Sequence, residues 1–379
     1  MTSSEARERA ADRIADVSRR GLDAVTLWRE CDAILDGILP VLRGPCWFTL
    51  DPSTLLVTSH YNDAMPVLPS DYLTSDCVDD GGMSLSQIAR LPAGAATVHE
   101  TTKGDPSTSE AWRRYVQAFG AEQHLAVALR TRSGTPYGVV NLYREPGAPP
   151  FTQDDIAFMR AVSKQIASGT ARGLLIGEAA DEGPNAPVLL VLDEEWQLQS
   201  MTPGAEAMLG VLPGGDVWRT RGALPPVVLS VARSAITLPD AADDRRSARV
   251  RTRDGRWVTL HGAPLLTGNR QRVAVIIERA APDRISPLLM EAYGLSEREK
   301  EITRHVLRGD STQEIAADLF LSPQTVQQHL RHVFEKTGVH SRRELVTKVF
   351  RAHYEPRVED NQARVATGRP VIGTPMRAG

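Results

Sequence analysis

The sequence predicts an α+β chain of several domains that ends in an all-α domain. With 379 residues the chain exceeds one ordinary hydrophobic core, since domains usually span about 100–200 residues. Strand-like runs alternate with helical patterns over residues 1–281, whereas residues 295–350 show helical periodicity alone. We therefore expect two mixed α/β domains followed by a four-helix domain.

Composition is that of a globular protein. Hydrophobic residues make up 41% of the chain and charged residues 24%. No apolar run approaches the ~18–20 residues of a membrane helix, and the amino terminus has no signal-peptide core. Three cysteines, Cys31, Cys46 and Cys77, fit neither a disulfide framework nor a metal site, and we expect core positions for them. These features predict a cytoplasmic protein without membrane contact.

Charge is unevenly distributed along the chain. The net charge is −3, but residues 294–354 contain ten Lys and Arg against eight Asp and Glu, and the tail from Glu355 contains four against three. The first 293 residues therefore carry −6. The C-terminal excess is mild; it permits phosphate contact, and the acidic part is better interpreted as a controlling region.

The first domain is expected over residues 1–176 and begins with two helices. Residues 4–20 predict a charged, largely exposed helix, with a dimeric coiled coil as the alternative. Asp23 is expected to cap the second helix. Its apolar positions follow helical spacing: Trp28, Cys31, Ile34, Leu35, Ile38 and Leu39.

A mixed sheet and a closing helix complete this domain. Strands are predicted at 46–50, 54–60, 125–129 and 137–143. A short helix is expected at 107–119. Thr152 and Asp155 form a capping box that begins a long helix reaching about Gly173. The segment near Phe158 to Leu175 is the expected transmission element.

The passage from Gly138 to Ile156 resembles the closing strand and final helix of GAF domains. It reads Gly-Val-Val-Asn-Leu-Tyr-Arg-Glu-Pro-Gly-Ala-Pro-Pro-Phe-Thr-Gln-Asp-Asp-Ile. GAF domains sense small molecules and partners, so the resemblance implies a sensory domain and names no ligand. The residues themselves predict no cofactor. Haem ligation by His60, His99 and His124 is an alternative without a marked ligand position.

A second α/β domain is expected over residues 188–281, after a polar linker at 177–187. Strands are predicted at 188–192, 198–201, 248–252, 256–261 and 272–278, and helices at 203–209 and 226–236. This layout and the turn Arg253-Asp-Gly-Arg-Trp257 resemble a PAS domain. Thr202 stands where many PAS domains have Asn before Pro.

The C-terminal domain is expected over residues 282–354, with a disordered tail at 355–379. N-cap residues and glycines predict where its helices begin and end. Ser296, Ser311 and Ser322 are the expected N-caps, and Gly309 and Gly338 are expected to end helices. Ser296 and Ser311 each have Glu three residues later, which completes a capping box. A fourth helix is expected at 342–352.

The third of these helices has a buried stripe that fixes its outward face. The stripe consists of Val326, Leu330, Val333 and Phe334. At about 100° per residue, the opposite side consists of Gln324, Gln328, Arg331 and Glu335, flanked by Thr325, Gln327 and His332. Gln bonds adenine bidentately, Arg bonds guanine, and Thr reaches phosphate. The helix is chemically able to enter a DNA major groove.

Residues 295–350 closely resemble the LuxR-type helix-turn-helix, also seen in NarL-like regulators. The matching positions are Leu295-Ser-x-Arg-Glu, Gly309, Glu314-Ile-Ala, Leu321-Ser-Pro-x-Thr-Val, His329, Lys336, Gly338-Val and Ser341-Arg. The resemblance implies a dimer through the last helix. It implies base contacts by Gln327, Gln328 and Arg331 and phosphate contacts by Thr325 and Lys336. The candidate DNA-binding set also includes Gln324, His332 and Arg342.

Two positions depart from that family. Gln327 and Gln313 stand where Lys or Arg is usual, so we expect weak nonspecific affinity with a shallow salt dependence. The two adjacent glutamines, Gln327 and Gln328, weakly favour adenine in each half-site.

The sequence thus predicts a DNA-binding transcription regulator. It is expected to act as a homodimer on a palindromic promoter site, with a small-molecule effector or RNA polymerase as further candidate partners. No enzyme is predicted, because Walker, Gly-x-Ser-x-Gly and His-Glu-x-x-His motifs are absent. The alternatives are a signalling scaffold acting through the first two domains, a helical bundle for partner contact, and a metal pair at His329 and His332.

Overall fold

The computed structural model describes residues 3–64, 67, 70–75, 83–173, 187–237, 246–267, 270–280 and 288–346. The chain divides into two units, residues 1–177 with 183–280, and residues 178–182 with 281–379. The first unit contains both α/β domains. The predictions for Cys77, for nearly all of the linker, for the end of the fourth helix and for the tail lie outside the described residues.

The first domain is an antiparallel sheet with helices on both faces. Its strands are β1 (Cys46–Leu50), β2 (Val57–Tyr61), β3 (Ala95–Thr97), β4 (Gln123–Arg130) and β5 (Pro136–Arg144). Its α-helices are α1 (Ser3–Arg19), α2 (Ala24–Leu35), α3 (Ser70–Ser75), α4 (Leu85–Arg90), α5 (Val98–Thr101) and α6 (Gln153–Gly173). The strand order is β2-β1-β5-β4-β3.

Capping chemistry sets the helix starts in this domain as predicted. The Asp23 carboxylate accepts from the Val25 and Thr26 N–H groups, both at 3.1 Å. Thr152 and Asp155 bond each other reciprocally at 3.0 and 3.1 Å. These caps satisfy backbone donors that a helix leaves open at its first turn.

Two helical predictions need correction. The first helix is exposed along one side, whereas its other side buries Ala10, Ile14 and Val17 in the core shared with α2 and α6. The helix expected at 107–119 is a 3₁₀ turn at Pro106–Thr108 followed by a π-helical turn at Trp112–Val116. The Trp112 indole donates to the Glu122 carbonyl at 3.0 Å, a contact 10 residues along the chain that helical spacing does not predict.

The second domain repeats the arrangement of strands. It has β6 (Val188–Leu192), β7 (Leu198–Met201), β8 (Ser247–Arg251), β9 (Trp257–Thr267) and β10 (Arg270–Arg279), in the order β7-β6-β10-β9-β8. Its helices are α7 (Ala205–Val211), α8 (Gly215–Arg221) and α9 (Pro226–Thr237), of which α8 was not predicted. Thr202 ties the first hairpin to α7, because its hydroxyl accepts from the Leu189 N–H at 2.9 Å and its carbonyl accepts from the Ala205 N–H at 3.1 Å.

Helix α9 crosses the second sheet at close range. A Cβ at Gly262 in β9 would lie 2.5 Å from the Val231 carbonyl oxygen and 2.9 Å from the Ala235 Cβ. Glycine is therefore required where the helix meets the sheet. The cluster beneath α9 is aliphatic and includes Val228, Val231, Leu260 and Val275.

The C-terminal unit is helical. It contains α10 (Glu297–Arg308), α11 (Thr312–Asp318) and α12 (Pro323–Thr337), with further helical residues at 288–292 and 342–346. Gly309 and Gly338 end α10 and α12 in left-handed conformations, with φ of +96° and +65°. Within the described residues, no helix is long and apolar enough to span a membrane.

Candidate nucleic-acid interface and buried polar face

Three N-caps position the C-terminal helices. Ser296 and Glu299 bond each other's backbone N–H, at 2.7 Å for the Glu299 carboxylate and 3.3 Å for the Ser296 hydroxyl. The Ser311 hydroxyl receives the Glu314 N–H at 3.3 Å, and the Ser322 hydroxyl receives the Thr325 N–H at 3.1 Å. Each helix therefore begins where the sequence predicts it.

The buried stripe of α12 fixes what that helix presents to solvent. Val326 and Val333 are fully buried, Leu330 is buried, and Phe334 is half-buried in the cluster formed with Ile302 and Ile315. The opposite face is exposed and consists of Gln324, Gln327, Gln328, Arg331, His332 and Glu335, while Thr325 is half-buried. The predicted set is thus brought onto one continuous polar surface of a 15-residue helix.

Two predicted contacts, Lys336 and Arg342, are held by partners in the protein. Lys336 Nζ lies 2.6 Å from a Glu299 carboxylate oxygen whose side chain is 5% exposed. Burial alone raises the pKa of Glu299, but hydrogen bonds from Lys336 and Ser296 lower the pKa below its ordinary value. The Arg342 guanidinium donates to the Asp310 carbonyl. Lys336 is therefore paired with a carboxylate, whereas Arg342 donates to a neutral carbonyl and keeps its full charge.

Phe320 is a feature of this surface that helical periodicity does not reveal. It lies between α11 and α12, has φ of +54°, and its side chain is 95% exposed. A left-handed conformation is unfavourable for a residue with a Cβ. In the sequence, only the Leu321-Ser-Pro run that follows Phe320 indicates that a tight turn lies at this point.

His305, Asp310 and Asp318 bring three potential metal-ligand atoms within 4.8 Å of one another. His305 Nδ1 lies 2.7 Å from an Asp310 oxygen and 3.9 Å from an Asp318 oxygen. The first bond ties the end of α10 to the next turn. His329 and His332 are not part of this group.

The first domain buries polar groups on one face of its sheet, which we call the inner face. It is formed by side chains that include Cys46, Phe48, Ala126, Val139 and Tyr143, and α4 packs on it. His124 stacks on Tyr143 with ring centroids 4.7 Å apart, and Phe48 contacts His60 at 5.1 Å. Asn141 Nδ2 donates weakly to the Tyr72 hydroxyl at 3.4 Å.

Three atoms of the inner face lack partners within the described residues. They are His60 Nε2, His124 Nε2 and Asn141 Oδ1, and all three are buried. Burial lowers the pKa of His124 to about 4, against a smaller opposing effect of the Asn141 amide, and burial lowers the pKa of His60 to about 4. Both imidazoles are neutral at pH 7, so the inner face offers neutral hydrogen-bonding groups among aromatic rings.

The haem alternative receives no support from this geometry. His60 is on β2 and His124 on β4, and strands β1 and β5 lie between them. At about 4.8 Å per strand the two backbones are roughly 14 Å apart. His99 lies on α5, which directly follows β3, and β3 pairs with β4 at the edge of the sheet opposite β2.

Comparison with known proteins identifies two parts of the chain. The family described as "Bacterial regulatory proteins, luxR family" matches residues 294–349, and the GAF domain matches residues 6–169. The probable transcriptional regulatory protein NarL of Mycobacterium tuberculosis is 36% identical over 89 residues, which cover 24% of this chain and 37% of NarL. The chain thus matches little more than a third of that relative.

Two further similarities differ in weight. The spore germination protein GerE of Bacillus subtilis is 35% identical over 57 residues, which cover 15% of this chain and 77% of GerE. The crystal structure of a phage VqmA-DPO complex covers 45% of this chain and 85% of its own at 18% identity, with a TM-score of 0.23. That score is too low to bear on fold or function.

Proposed function

The chain belongs to the luxR family of bacterial regulatory proteins, and from this premise we propose that it regulates transcription by binding double-stranded DNA through α12. The observation that carries the proposal is the polar face of that helix. Gln327, Gln328 and Arg331 are exposed opposite the buried residues Val326 and Leu330. Amide and guanidinium groups on an exposed helix face match the hydrogen-bonding edges of bases in the major groove.

The readout is weighted toward base contacts. Glutamine at position 327 adds no charge, and Lys336 and Arg342 are engaged within the domain. Fewer free cations release fewer counterions from DNA, so affinity should depend weakly on salt. A homodimer on a palindromic site supplies the remaining affinity, because two half-sites are bound together.

The GAF domain is the proposed sensor, and the second domain is proposed to be PAS-like. The neutral, partly unpartnered groups of the inner face suit a small uncharged effector with hydrogen-bond donors and a flat ring. The PAS-like interpretation is supported by the element order of two strands, helices and three strands. The proposed domain limits are 1–176, 188–281 and 282–354.

A binding titration of the full-length protein tests the proposal. DNA fragments selected from a random pool should be retarded in a mobility-shift assay, with inverted repeats enriched. Gln328→Ala should relax preference at one base position by about 1–3 kcal/mol. The control Gln313→Ala, at an exposed residue of α11, should leave base preference unchanged.

The competing function is a signalling scaffold that acts through protein contacts of the first two domains. The Lys336–Glu299 pair favours it, because it offsets the charge of one of the two cations on α12, Arg331 and Lys336. No retardation of any selected DNA at low salt would support the scaffold. A steep salt dependence would contradict the base-weighted readout while leaving DNA binding itself intact. Under the main proposal, in which the protein regulates transcription, it would act in the cytoplasm and would not be an enzyme.

A further inference from the structure

The boundary between the two α/β domains satisfies groups that neither domain satisfies alone. Strand β2 is an edge of the first sheet, and β8 is an edge of the second. Buried edge strands need partners for their open backbone groups. Here each edge finds one in the other domain.

Helix α9 supplies the partner for β2. The Val57 N–H donates to Ser230 Oγ at 3.0 Å, and the bond is buried. A serine inside a helix usually bonds a carbonyl of its own helix, as Ser234 does with the Val231 carbonyl at 2.8 Å. Of these two buried serines, one turn apart on α9, Ser230 therefore bonds the first domain and Ser234 bonds its own helix.

Asp51 at the end of β1 supplies the partner for β8. Its side chain is 0% exposed and faces Arg249. The Arg249 backbone N–H, Nε and Nη2 donate to the carboxylate at 2.8, 2.9 and 2.6 Å, and Nη2 also donates to Ser53 Oγ at 2.6 Å. A buried carboxylate is tolerated when it is paired and fully hydrogen-bonded, and Arg249 provides both.

Each domain also contributes a buried leucine to the other's core, and Trp196 and Leu224 of the second domain pack against the inner-face cluster as well. Leu229 of α9 belongs to the inner-face cluster of the GAF domain, together with Phe48 and Tyr143. Leu56 of the GAF domain belongs to the aliphatic cluster of the second domain, together with Val228. The inner face that carries His60, His124 and Asn141 is therefore continuous with a side chain of α9.

We propose that α9 couples the inner face to the second domain. A change of packing on that face is transmitted through Leu229 and Ser230, while the Asp51–Arg249 ion pair holds the two domains together. The inference rests on the proposed function only in treating the GAF domain as the sensor. Leu229 packs in the same cluster as Phe48 and Tyr143, and packed clusters have discrete arrangements, so a shift at either residue can reach Leu229 through that cluster.

Hydrogen exchange of the full-length protein tests the transmission. Asn141→Leu alters the inner face without touching α9, and it should change the exchange rates of the α9 amides. In a Leu229→Ala background the same substitution should leave α9 unchanged. If Leu229→Ala does not fold, Leu229→Val takes its place, and the response should be weakened. An α9 that ignores Asn141→Leu in the otherwise native chain overturns the proposal.

The two serines provide the matched pair. Ser230→Ala should raise exchange in β2 by about fivefold, the ratio expected for one lost hydrogen bond. It should also raise exchange in α3, because α3 packs against α9. Ser234→Ala should affect α9 alone. Identical patterns for the two variants would show that the domains are merely adjacent. These readouts need no DNA, so a failure to bind DNA would remove the proposed function and leave the coupling between domains standing.

Discussion

The GAF domain and the second domain share a sheet plan but bury different chemistry. In both, the strands lie in the spatial order second, first, fifth, fourth, third. The second domain fills its core with aliphatic side chains, and its buried hydroxyls, such as those of Ser234 and Thr252, are hydrogen-bonded. The GAF domain leaves His124 Nε2 and Asn141 Oδ1 buried without partners. The same plan therefore gives an aliphatic core in one domain and, among the described residues, a core with unpartnered imidazole and amide atoms in the other.

The largest expected effect comes from separating the two domains at their shared ion pair. Arg249→Ala leaves the Asp51 carboxylate buried and unpaired, which should destabilise the folded unit by about 3–5 kcal/mol. The control Arg253→Ala removes an exposed pair with Asp216 and should cost less than ~1 kcal/mol. Urea denaturation measures both. Equal effects would mean that the boundary is no more than a surface contact.

The next effect is a pH dependence specific to the GAF domain. Burial lowers the pKa of His124 to about 4 and that of the half-buried His60 to about 4. Between about pH 4 and 6.5 these two histidines bind protons in the unfolded chain but not in the folded chain, so the free energy of unfolding decreases as pH falls. Burial raises the pKa of Asp32 to about 7 despite a hydrogen bond from Trp47. The contribution of Asp32 to the free energy of unfolding is therefore lost as pH rises from about 4 to 7.

The two histidines outweigh the one aspartate, which fixes the sign. Between about pH 4.5 and 6.5 stability should rise with pH by about 1.4 kcal/mol per unit, one net proton. Asp32→Asn should roughly double that slope, and His124→Leu should bring it near zero. Urea midpoints at several pH values measure the slopes. A native protein whose stability falls as pH rises over this range would contradict the directions of the three pKa shifts.

The smallest effect tests whether the unpartnered polar groups serve function rather than stability. Within the described residues, Asn141→Leu removes a buried amide oxygen that has no partner and loses only the weak bond from Nδ2 to the Tyr72 hydroxyl, so it should stabilise the fold by about 1 kcal/mol. The matched change in the second domain, Thr252→Val, removes hydroxyl bonds to the Arg256 carbonyl and to Asp254 and should destabilise it by about as much. Thermal unfolding compares them, and a loss of stability in Asn141→Leu would break the contrast.

Local patterns predicted the helix starts and strands well because their causes lie within a few residues. The caps at Asp23, Thr152 and Ser296 each involve a partner two or three residues away. The buried stripe of α12 follows helical spacing alone. Helix α8 was missed because it is a short segment between Gly214 and Gly222, both at positive φ.

Contacts between distant residues were beyond such patterns. Lys336 and Arg342 stay predicted DNA contacts, but their partners Glu299 and Asp310 lie 37 and 32 residues away in sequence. Nothing in the spacing of α12 indicates that Lys336 is shared with a helix cap. The same holds for Asp51 and Arg249, which are 198 residues apart.

The sequence by itself determined the helix-turn-helix and the face of α12 that carries Gln327, Gln328 and Arg331. Those features depend on periodicity and capping, which are local. Only the tertiary structure decided that His60, His124 and Asn141 share one buried face and that Leu229 and Ser230 of α9 complete the GAF domain. Burial and edge-strand pairing arise from the packing of distant segments, so their chemistry becomes visible only once the chain is folded.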